Sequence, residues 1–433
     1  MNNATAHIET EKRSAERSRS KLVPALRFKE FEDKWNSSRM LEVASKITDG
    51  THDTPKKIDE GIPYLTAVHV KDGNIDFESC YYLSQKDHDI IYKRCNPEYG
   101  DLLIVNIGAG TATCASVTVD YQFSLKNVAL VKPNRKIIEP DYLIHLQRKK
   151  SKRLFHQLTS GGAQPFFSLK QIGKLKVEFP TLPEQQKIAS FLSAVDEKIQ
   201  QLTKKKALLE HYKKGVMQQL FRSTGSGHAS GQLRFKDENG KDYPDWEEKQ
   251  LSDVAKRVVR KNKENNLNVL TISAQQGLIS QLEYFNKSVS AKNVTNYYLL
   301  HRDDFAYNKS YSTGYPMGAI KRLNRYDKGV VSTLYICFEF NDKVSLNFME
   351  QYFEFGRQNI ELEKVAQEGA RNHGLLNIGV NDFLNIDIKV PTLPEQQKIA
   401  GYLSRIDTKI ESVNHQITQT QTFKKGLLQQ MFV

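Results

Sequence analysis

Long hydrophobic runs are missing from this 433-residue chain. No apolar stretch approaches the roughly 20 residues that a membrane-spanning helix needs. Residues 1–22 are polar and charged, lack the apolar core of a secretion signal, and are interpreted as a flexible tail whose mixed charges also suit a frayed helix. The sequence therefore indicates a cytoplasmic protein.

Cysteine is also scarce, since the chain has four and no two of them form a C-x-x-C pair. Three fall in the first half and one in the second, a distribution that fits neither a disulfide framework nor a zinc site. We expect all four to be reduced thiols. They are Cys80, Cys95, Cys114 and Cys337.

Motifs that carry catalytic chemistry are absent as well. The sequence has no G-x-x-x-x-G-K-[ST] phosphate loop and no H-x-x-x-H spacing around an acid. Residues 96–99 (N-P-E-Y) differ by one position from the N-P-P-Y motif of amino-methyltransferases, but the charged Glu98 fits poorly and no glycine-rich cofactor loop lies upstream. The sequence predicts no catalytic residue, no metal site and no cofactor bound by this chain.

Positive charge, in contrast, is abundant. Lys and Arg number 63 against 50 Asp and Glu, which gives a formal net charge of +13. An excess of this size favours an anionic partner, either nucleic acid or an acidic membrane surface. A soluble protein that is merely basic is the alternative.

A ten-residue segment occurs twice without change. The sequence P-T-L-P-E-Q-Q-K-I-A occupies residues 180–189 and again residues 391–400, an offset of 211 positions from 180 to 391. A repeat this long means that one structural unit has been duplicated. We expect approximate two-fold symmetry within the chain, which is the symmetry that many partners of double-stranded DNA use.

The duplication extends beyond these ten residues. Further segments match in the two halves, whereas residues 45–165 and 256–370 share little. The matching segments are L-R-F-K at 26–29 and 233–236, Trp35 and Trp246, and K-K-G-x-x-Q-Q-x-F at 213–221 and 424–432.

The repeated P-E-Q-Q segments open two long predicted helices. Proline and glutamate suit a first helical turn, and apolar residues then recur at three- and four-residue spacing for about five heptads. Two seams of matching phase predict that the helices pack on each other. We assign partner binding or helix pairing to Glu184, Gln185, Gln186, Ile188, Leu192, Ile199, Glu395, Gln396, Gln397, Ile399, Leu403 and Ile410.

Polar residues interrupt these seams. Lys206, Lys213, Thr420 and Lys424 fall at core positions. A polar residue in a coiled coil costs stability but fixes the register. Lysine stems that reach solvent near a loosened helix end are the alternative.

The predicted fold class is α/β: two mixed α/β lobes separated by two long antiparallel coiled-coil helices, with an internal pseudo-two-fold repeat. A Gly/Ser-rich stretch after the first helix is typical of a linker. The predicted divisions are a tail at 1–22, a first lobe at 23–180, a first helix at 181–221, a linker at 222–232, a second lobe at 233–391 and a second helix at 392–433.

Strand–loop junctions in the two lobes carry candidate DNA contacts. Residues 101–105 and 115–119 predict buried strands around a Gly-rich loop, and residues 304–307 lead into a second polar loop. Asparagine at each junction can pair bidentately with adenine, but an Asx-type turn cap is the alternative. The candidates are Asn106, Thr111 and Thr113 in the first lobe and Asn308, Lys309, Ser310, Tyr311 and Thr313 in the second.

Basic clusters supply candidate phosphate contacts. Residues 148–153 carry five positive charges in six positions, which suits either a solvated face or phosphate binding. A Gly-Ala pair followed by polar residues precedes the long helix in both halves. The candidates are Arg148, Lys149, Lys150, Lys152, Arg153, Gln164, Lys321, Arg322, Arg371 and Asn372.

Taken together, these segments resemble the DNA-specificity subunit of Type I restriction–modification systems. The resemblance rests on the repeated P-x-L-P-E-Q-Q-K-I-A, on the K-K-G-x-x-Q-Q-x-F helix ends, and on I-T-D-G-T-H-D-T-P at residues 47–55. It covers nearly the whole chain beyond the tail. It implies that each lobe is a target-recognition domain that reads one half of a bipartite DNA site, while the helices set the spacer and dock methyltransferase subunits.

The resemblance also implies partners and cofactors. Two methyltransferase (modification) subunits would methylate adenine at N6 with S-adenosylmethionine. Restriction/translocase subunits would cleave unmethylated DNA with ATP and Mg²⁺. These cofactors would belong to the partner subunits, and the complex would act on double-stranded DNA in the bacterial cytoplasm, away from membranes.

Two other functions fit parts of the sequence. A stand-alone DNA adenine methyltransferase would act through residues 96–99, and tight S-adenosylmethionine binding by the purified chain would support it. A non-enzymatic coiled-coil scaffold would bind no DNA, and the net charge of +13 argues against it.

Overall fold

The computed structural model describes residues 22–108, 110–159, 165–221, 233–285, 294–366 and 376–433. These residues form two compact units. Unit 1 consists of the described residues up to Thr203 together with His415–Val433, and unit 2 consists of Lys204–Asn414. Each unit therefore contains a part of both long helices.

Unit 1 is built on a four-stranded sheet. Its strands are β1 (Asn36–Arg39), β2 (Ala44–Asp49), β3 (Ile62–Thr66), β4 (Val70–Lys71), β5 (Asn74–Ile75), β6 (Tyr81–Leu83), β7 (Leu102–Val105), β8 (Cys114–Ser116), β9 (Ser124–Lys126), β10 (Val128–Pro133) and β11 (Lys176–Phe179). Its helices are α1 (Met40–Val43), α2 (Gln85–Arg94), α3 (Pro140–Thr159), α4 (Leu169–Gly173) and the start of α5 (Leu182–Leu220). The central order is β2-β10-β7-β8, all antiparallel, and smaller sheets are β6-β3-β9, β1-β11 and β4-β5.

The central strand β7 shows why this sheet is buried on both faces. Side chains of a strand alternate between faces. Leu102 and Ile104 enter one hydrophobic core with α3, whereas Leu103 and Val105 enter a second core on the other face. The predicted buried strand at 101–105 is thereby confirmed, and the strand predicted at 115–119 is shorter and begins earlier, at Cys114.

Unit 2 has the same central architecture. Its strands are β12 (Glu247–Gln250), β13 (Ala255–Arg257), β14 (Leu270–Ser273), β15 (Gly277–Ser280), β16 (Tyr298–His301), β17 (Phe305–Asn308), β18 (Ala319–Arg322), β19 (Lys328–Val331), β20 (Ile336–Phe340) and β21 (Asp387–Val390). Its helices are α6 (Leu251–Val254), α7 (Gln281–Phe285), α8 (Leu346–Phe355), α9 (Asn359–Val365), α10 (Val380–Leu384) and the start of α11 (Leu393–Gln430). The central order is β13-β20-β17-β18, flanked by β12-β21, β14-β15 and β16-β19.

The two central sheets agree in strand order although their sequences share little. The framework around them repeats residue by residue: Asn36 pairs with Phe179 in unit 1, and Glu247 pairs with Val390 in unit 2, at the same offset. Inside the lobes, only the pattern of burial is shared. Duplication has therefore kept the topology while most core side chains changed.

The long helices pack antiparallel to each other within each unit. In unit 1, Ile188 near the start of α5 shares a core with Met431, just after the end of α11. In unit 2, Ile399 near the start of α11 shares a core with Leu220 at the end of α5. The predicted α/β fold with paired antiparallel helices is confirmed.

An aromatic residue follows the end of each long helix and enters a core. Phe432 lies 5.2 Å from Tyr142 between ring centroids, and Tyr142 contacts Trp35. Phe221 stacks at 5.2 Å on Phe355 of unit 2. Each helix thus begins in one unit and ends in the core of the other, which explains why the K-K-G-x-x-Q-Q-x-F sequence is repeated.

Among the described residues, no helix combines the length and the apolarity that crossing a membrane requires. The four cysteines are buried and free. Burial raises the pKa of Cys114 to about 12, so that this thiol is not a nucleophile at neutral pH.

Candidate nucleic-acid interface

The repeated glutamate of the P-E-Q-Q segment makes an internal ion pair. Glu184 is fully buried and accepts two hydrogen bonds of 2.8 Å from the guanidinium of Arg27. Glu395 accepts the same pair of bonds from Arg234, at 3.2 and 2.8 Å. Since the arginines belong to the L-R-F-K segments, the two repeated motifs bind each other.

The first glutamine of each segment joins the long helix to its lobe. Gln185 accepts a 2.8 Å hydrogen bond from the Glu139 amide and donates one of 2.8 Å to the Pro180 carbonyl oxygen. Gln396 accepts a 2.8 Å bond from the Ser345 amide. Glu139 and Ser345 directly precede α3 and α8, so both glutamines hold equivalent helices.

The second glutamine of each segment, Gln186 or Gln397, is exposed. Of the polar positions assigned to partner binding or helix pairing, these two face solvent, whereas the glutamates and first glutamines face inward. The apolar positions lie in the helix seams: Ile188, Leu192, Ile399 and Leu403 are buried, and Ile199 and Ile410 are half-buried.

The Gly-rich loop of unit 1 connects β7 to β8. Asn106 is buried, with 1% of its surface exposed, and its amide has no hydrogen-bond partner among the described residues, so it forms no Asx turn. Thr111 is also buried and donates a 2.6 Å bond to the Gly108 carbonyl oxygen, which closes the loop. Thr113 is half-buried at the loop end.

Arg148, the first cation of the basic run, is held by carboxylates. It donates to Asp72 at 2.9 Å and to Asp196 at 3.0 Å. Its guanidinium lies against Gly73, whose φ of +80° is in the left-handed region that favours glycine in this D-G turn. Burial and the nearby Lys424 lower the pKa of the adjacent His145 to about 3, which keeps that imidazole neutral.

The other cations of the run fall into two groups. Lys149 donates to C-terminal carbonyl oxygens at 2.9 and 3.1 Å, and Lys150 donates to Glu178 at 2.7 Å. Lys152 and Arg153 are exposed. The run on α3 is therefore a structural cluster at its start and an exposed cationic surface at its end.

Four of the predicted residues meet in one cavity of unit 1. Thr111 and Thr113 from the loop face Arg148 and Lys152 from α3 across a cavity of about 510 Å³. The rest of the lining consists of Asp72, Ser151, Phe155 and His156. The hydroxyl of Thr111 and the guanidinium of Arg148 already donate within the protein, so Thr113 and Lys152 are the groups in this lining that suit phosphate oxygens.

The polar loop of unit 2 follows β17. Asn308 accepts a 3.1 Å bond from the Ser310 amide, so the Asx-turn alternative is confirmed at this junction. Lys309 donates to a backbone oxygen at 3.2 Å. Tyr311 and Thr313 are exposed, which makes them the accessible side chains among the five predicted in this loop.

The cations of the second basic cluster, Lys321 and Arg322, are bound to carboxylates of unit 2. Lys321 donates to Glu354 and, at 3.0 Å, to the hydroxyl of Tyr315. Arg322 donates to Asp303 at 2.9 Å through Nε. Neither cation is free to approach phosphate without breaking these bonds. The remaining candidates, Gln164, Arg371 and Asn372, lie outside the described residues.

A basic segment that the sequence-based list of candidates missed lies on the edge strand β13 and just after it. Residues 256–263 (K-R-V-V-R-K-N-K) contain five cations in eight positions. Arg260 is bound to two carboxylates, but Arg257, Lys261 and Lys263 are exposed. The segment contains as many cations as the run at 148–153, in eight positions instead of six, so a count of charges along the sequence finds it.

Residues 96–99 lie at a surface turn. Asn96 donates to the Glu98 carboxylate at 3.1 Å and Tyr99 is 61% exposed, as in a surface turn. The cavity beside Tyr99 measures about 140 Å³, well below the about 300 Å³ of small ligand sites. In the described part of the chain, no group of three or more His, Cys, Asp or Glu side chains is placed to hold a metal ion.

The chain matches the family model of the Type I restriction modification DNA specificity domain twice, at residues 32–211 and 243–421. These matches cover most of the chain, and the chain belongs to this family. Membership implies assembly with DNA and with other restriction–modification subunits. The matches give no support to a stand-alone methyltransferase or to a scaffold without DNA.

Two curated relatives come from Methanocaldococcus jannaschii. The putative type I restriction enzyme MjaX specificity subunit is 25% identical over 92% of this chain and 93% of its own length. The MjaVIII specificity subunit is 24% identical over 84% of each chain.

Solved structures agree in fold. The S subunit of a Type I restriction–modification system from M. genitalium superposes with a TM-score of 0.58 at 12% identity, over 95% of this chain and 99% of that one. A chain from a study of complex assembly and conformational transition of the type I R–M system gives 0.52 at 15% identity, over 92% and 97%.

Proposed function

We propose that this chain is the non-catalytic specificity subunit of a Type I restriction–modification complex, and that each unit reads one half of a bipartite DNA site. The observation that supports this most is the contrast within the repeat. The framework recurs with the same residue pairs, whereas the loops at the ends of β7 and β17 share an asparagine at the junction but otherwise differ in sequence and in its contacts. A constant frame with two unlike loops suits two unlike half-sites.

For unit 1 we propose that phosphate enters the cavity between the Gly-rich loop and α3. Lys152 supplies accessible charge in the same lining as the hydroxyl of Thr113, and Arg153 adds exposed charge at this end of the basic run. For unit 2 we propose that Tyr311 and Thr313 approach bases and that residues 256–263 approach the backbone. Phosphate contacts position a protein on DNA, and loop side chains select the bases.

We further propose that α5 and α11 set the gap between the half-sites and dock two methyltransferase subunits. Those subunits, with S-adenosylmethionine, would methylate adenine at N6, and restriction subunits would use ATP and Mg²⁺. This chain would hold none of these cofactors. Exposed Gln186 and Gln397 are the proposed contacts with the modification subunits, and a cytoplasmic location follows from this role.

Exchange of one lobe tests the proposal. Residues 23–180, our proposed first domain, are replaced by the corresponding lobe of another specificity subunit that keeps the arginine, tryptophan and tyrosine equivalent to Arg27, Trp35 and Tyr142. We expect one half of the methylated sequence to change and the other half and the gap to persist. Methylation mapping of cells that carry the complete system measures this. The reciprocal exchange of residues 233–391 is the control, and a change of both halves after one exchange contradicts the proposal.

Neutralising the exposed end of the basic run tests the phosphate contacts. For Lys152→Gln with Arg153→Gln, we expect DNA affinity of the assembled complex to fall and the slope of log affinity against log salt to shrink by about 2, since each phosphate contact contributes about 0.9. Lys150→Gln is the matched control, because Lys150 is already bound to Glu178. An unchanged slope in the double variant removes these residues from the interface.

A further inference from the structure

Each unit contains a lysine–aspartate pair that joins the two long helices. In unit 1, Lys424 of α11 donates to Asp196 of α5. In unit 2, Lys213 of α5 donates to Asp407 of α11, at 2.9 Å. From 213 to 424 and from 196 to 407 the offset is the same as that of the P-E-Q-Q repeat, so duplication has kept both members of the pair.

These pairs lie in an apolar seam, where a charge is costly. The exposed fraction of the side chain is 7% for Lys424 and 16% for Lys213, and it is 28% for Asp196 and 40% for Asp407. Taking such a charge out of water offsets most of what its ion pair contributes, and apolar residues of similar size are often at least as stabilising. Stability alone therefore does not account for two copies of this pair.

Each aspartate is also bound from a helix of its lobe. Asp196 accepts a hydrogen bond from Arg148 of α3, at 3.0 Å. Asp407 accepts one from Gln351 of α8, at 2.9 Å. The carboxylate thus joins three elements, namely its own long helix, the opposing long helix and the lobe.

The seam residues themselves allow more than one alignment, because apolar positions recur every heptad. A slip of one heptad would bring Lys206 opposite Asp407, so that this aspartate would still face a cation. The same slip would bring Ile417 opposite Asp196 and leave that carboxylate without its lysine. The slip is therefore compatible with α5, which offers a lysine at the new position, but not with α11, which offers an isoleucine.

We propose that the two lysine–aspartate pairs are positioning residues that fix the register of α5 against α11 and thereby the gap between the half-sites. The inference about the gap between the half-sites rests on the proposed function. A heptad of α-helix rises about 10 Å, and DNA rises about 3.4 Å per base pair. A slip of one heptad would therefore change the gap by about three base pairs.

Replacing both pairs with apolar residues separates register from stability. The variant carries Lys213→Met, Asp407→Leu, Lys424→Met and Asp196→Leu in the complete restriction–modification complex. We expect methylated sites with the native gap to be joined by sites whose gap differs by about three base pairs, and methylation mapping measures their proportion. A single unchanged gap overturns the proposal and assigns the register to Phe221 and Phe432 instead.

A single substitution tests the register without DNA. In Lys213→Met, the 40% exposed carboxylate of Asp407 loses its lysine, and we expect carbodiimide, which couples contacting lysines and carboxylates, to link Lys206 to Asp407 in part of the molecules. Wild type should link Lys213 to Asp407. The absence of a link between Lys206 and Asp407 in this variant overturns the proposal.

The matched control is Lys206→Met, since this seam lysine pairs within its own helix with Glu210, at 3.8 Å. We expect the gap between the methylated half-sites and the carbodiimide links between the helices to be the same in this variant as in wild type. A wider range of gaps would contradict the proposal that the lysine–aspartate pairs fix the register. If wild type itself methylates no bipartite site, the proposed function fails, while the links still decide the register.

Discussion

Arg27→Met is expected to lower the stability of unit 1 by about 3–5 kcal/mol, because it leaves the carboxylate of Glu184 buried without its cation. For a unit of this size, that corresponds to a fall of roughly 10 °C in melting temperature. Calorimetry of the purified chain measures the loss, and hydrogen exchange of peptides from each unit assigns it. Arg234→Met should do the same to unit 2 through Glu395.

Two further variants make this result specific. Lys187→Met removes a neighbouring pair with Glu30 whose side chains are about half exposed, and should cost less than about 1 kcal/mol. Adding Glu184→Leu to Arg27→Met should recover most of the lost stability, because no buried charge is left. If Arg27→Met alone is as stable as wild type, then Arg27 does not stabilise the buried carboxylate of Glu184.

Phe432→Ala is expected to destabilise unit 1, although the residue lies beyond the end of α11. Its ring is 2% exposed and packs on Tyr142, so its removal leaves a cavity and should cost about 3–5 kcal/mol. Hydrogen exchange should rise in β7, β10 and α3, and not in unit 2. Phe221→Ala should have the converse effect on unit 2.

The control for this prediction lies on the same helix. Phe423 is 54% exposed, so Phe423→Ala should change the free energy of unfolding by well under 1 kcal/mol. If Phe432→Ala instead increases exchange in unit 2, then the helix ends are not distributed between the units as described.

The framework is predictable from the sequence because identical residues at a constant offset make identical contacts. Heptad spacing gives the helices Leu182–Leu220 and Leu393–Gln430 almost to the residue. The common strand order of the central sheets is not predictable in this way. Leu102 and Phe305 occupy corresponding buried strands with different side chains, and burial pattern alone does not define which strands are neighbours.

The candidate site is less predictable, because exposure of a cation depends on distant partners. Arg148 meets Asp72, which is 76 positions away, and Lys149 meets a carbonyl oxygen 283 positions away. A local run of charge contains no information on such pairs. The roles of Glu184 and Gln185 were missed for the same reason, since their inward direction depends on Arg27 and Glu139.

The division of the chain also affects the order in which a newly made molecule can fold. Unit 2 is one continuous stretch, whereas unit 1 joins residues up to Thr203 with His415–Val433. At about 5–20 residues per second, translation of the intervening segment takes roughly 10–40 s. Throughout that time Phe432 has not been synthesised, and the space beside Trp35 and Tyr142 that its ring fills in the first lobe stays empty. The lobe that is synthesised first is therefore the last to complete its hydrophobic core, because its final segment is synthesised only after the whole of unit 2.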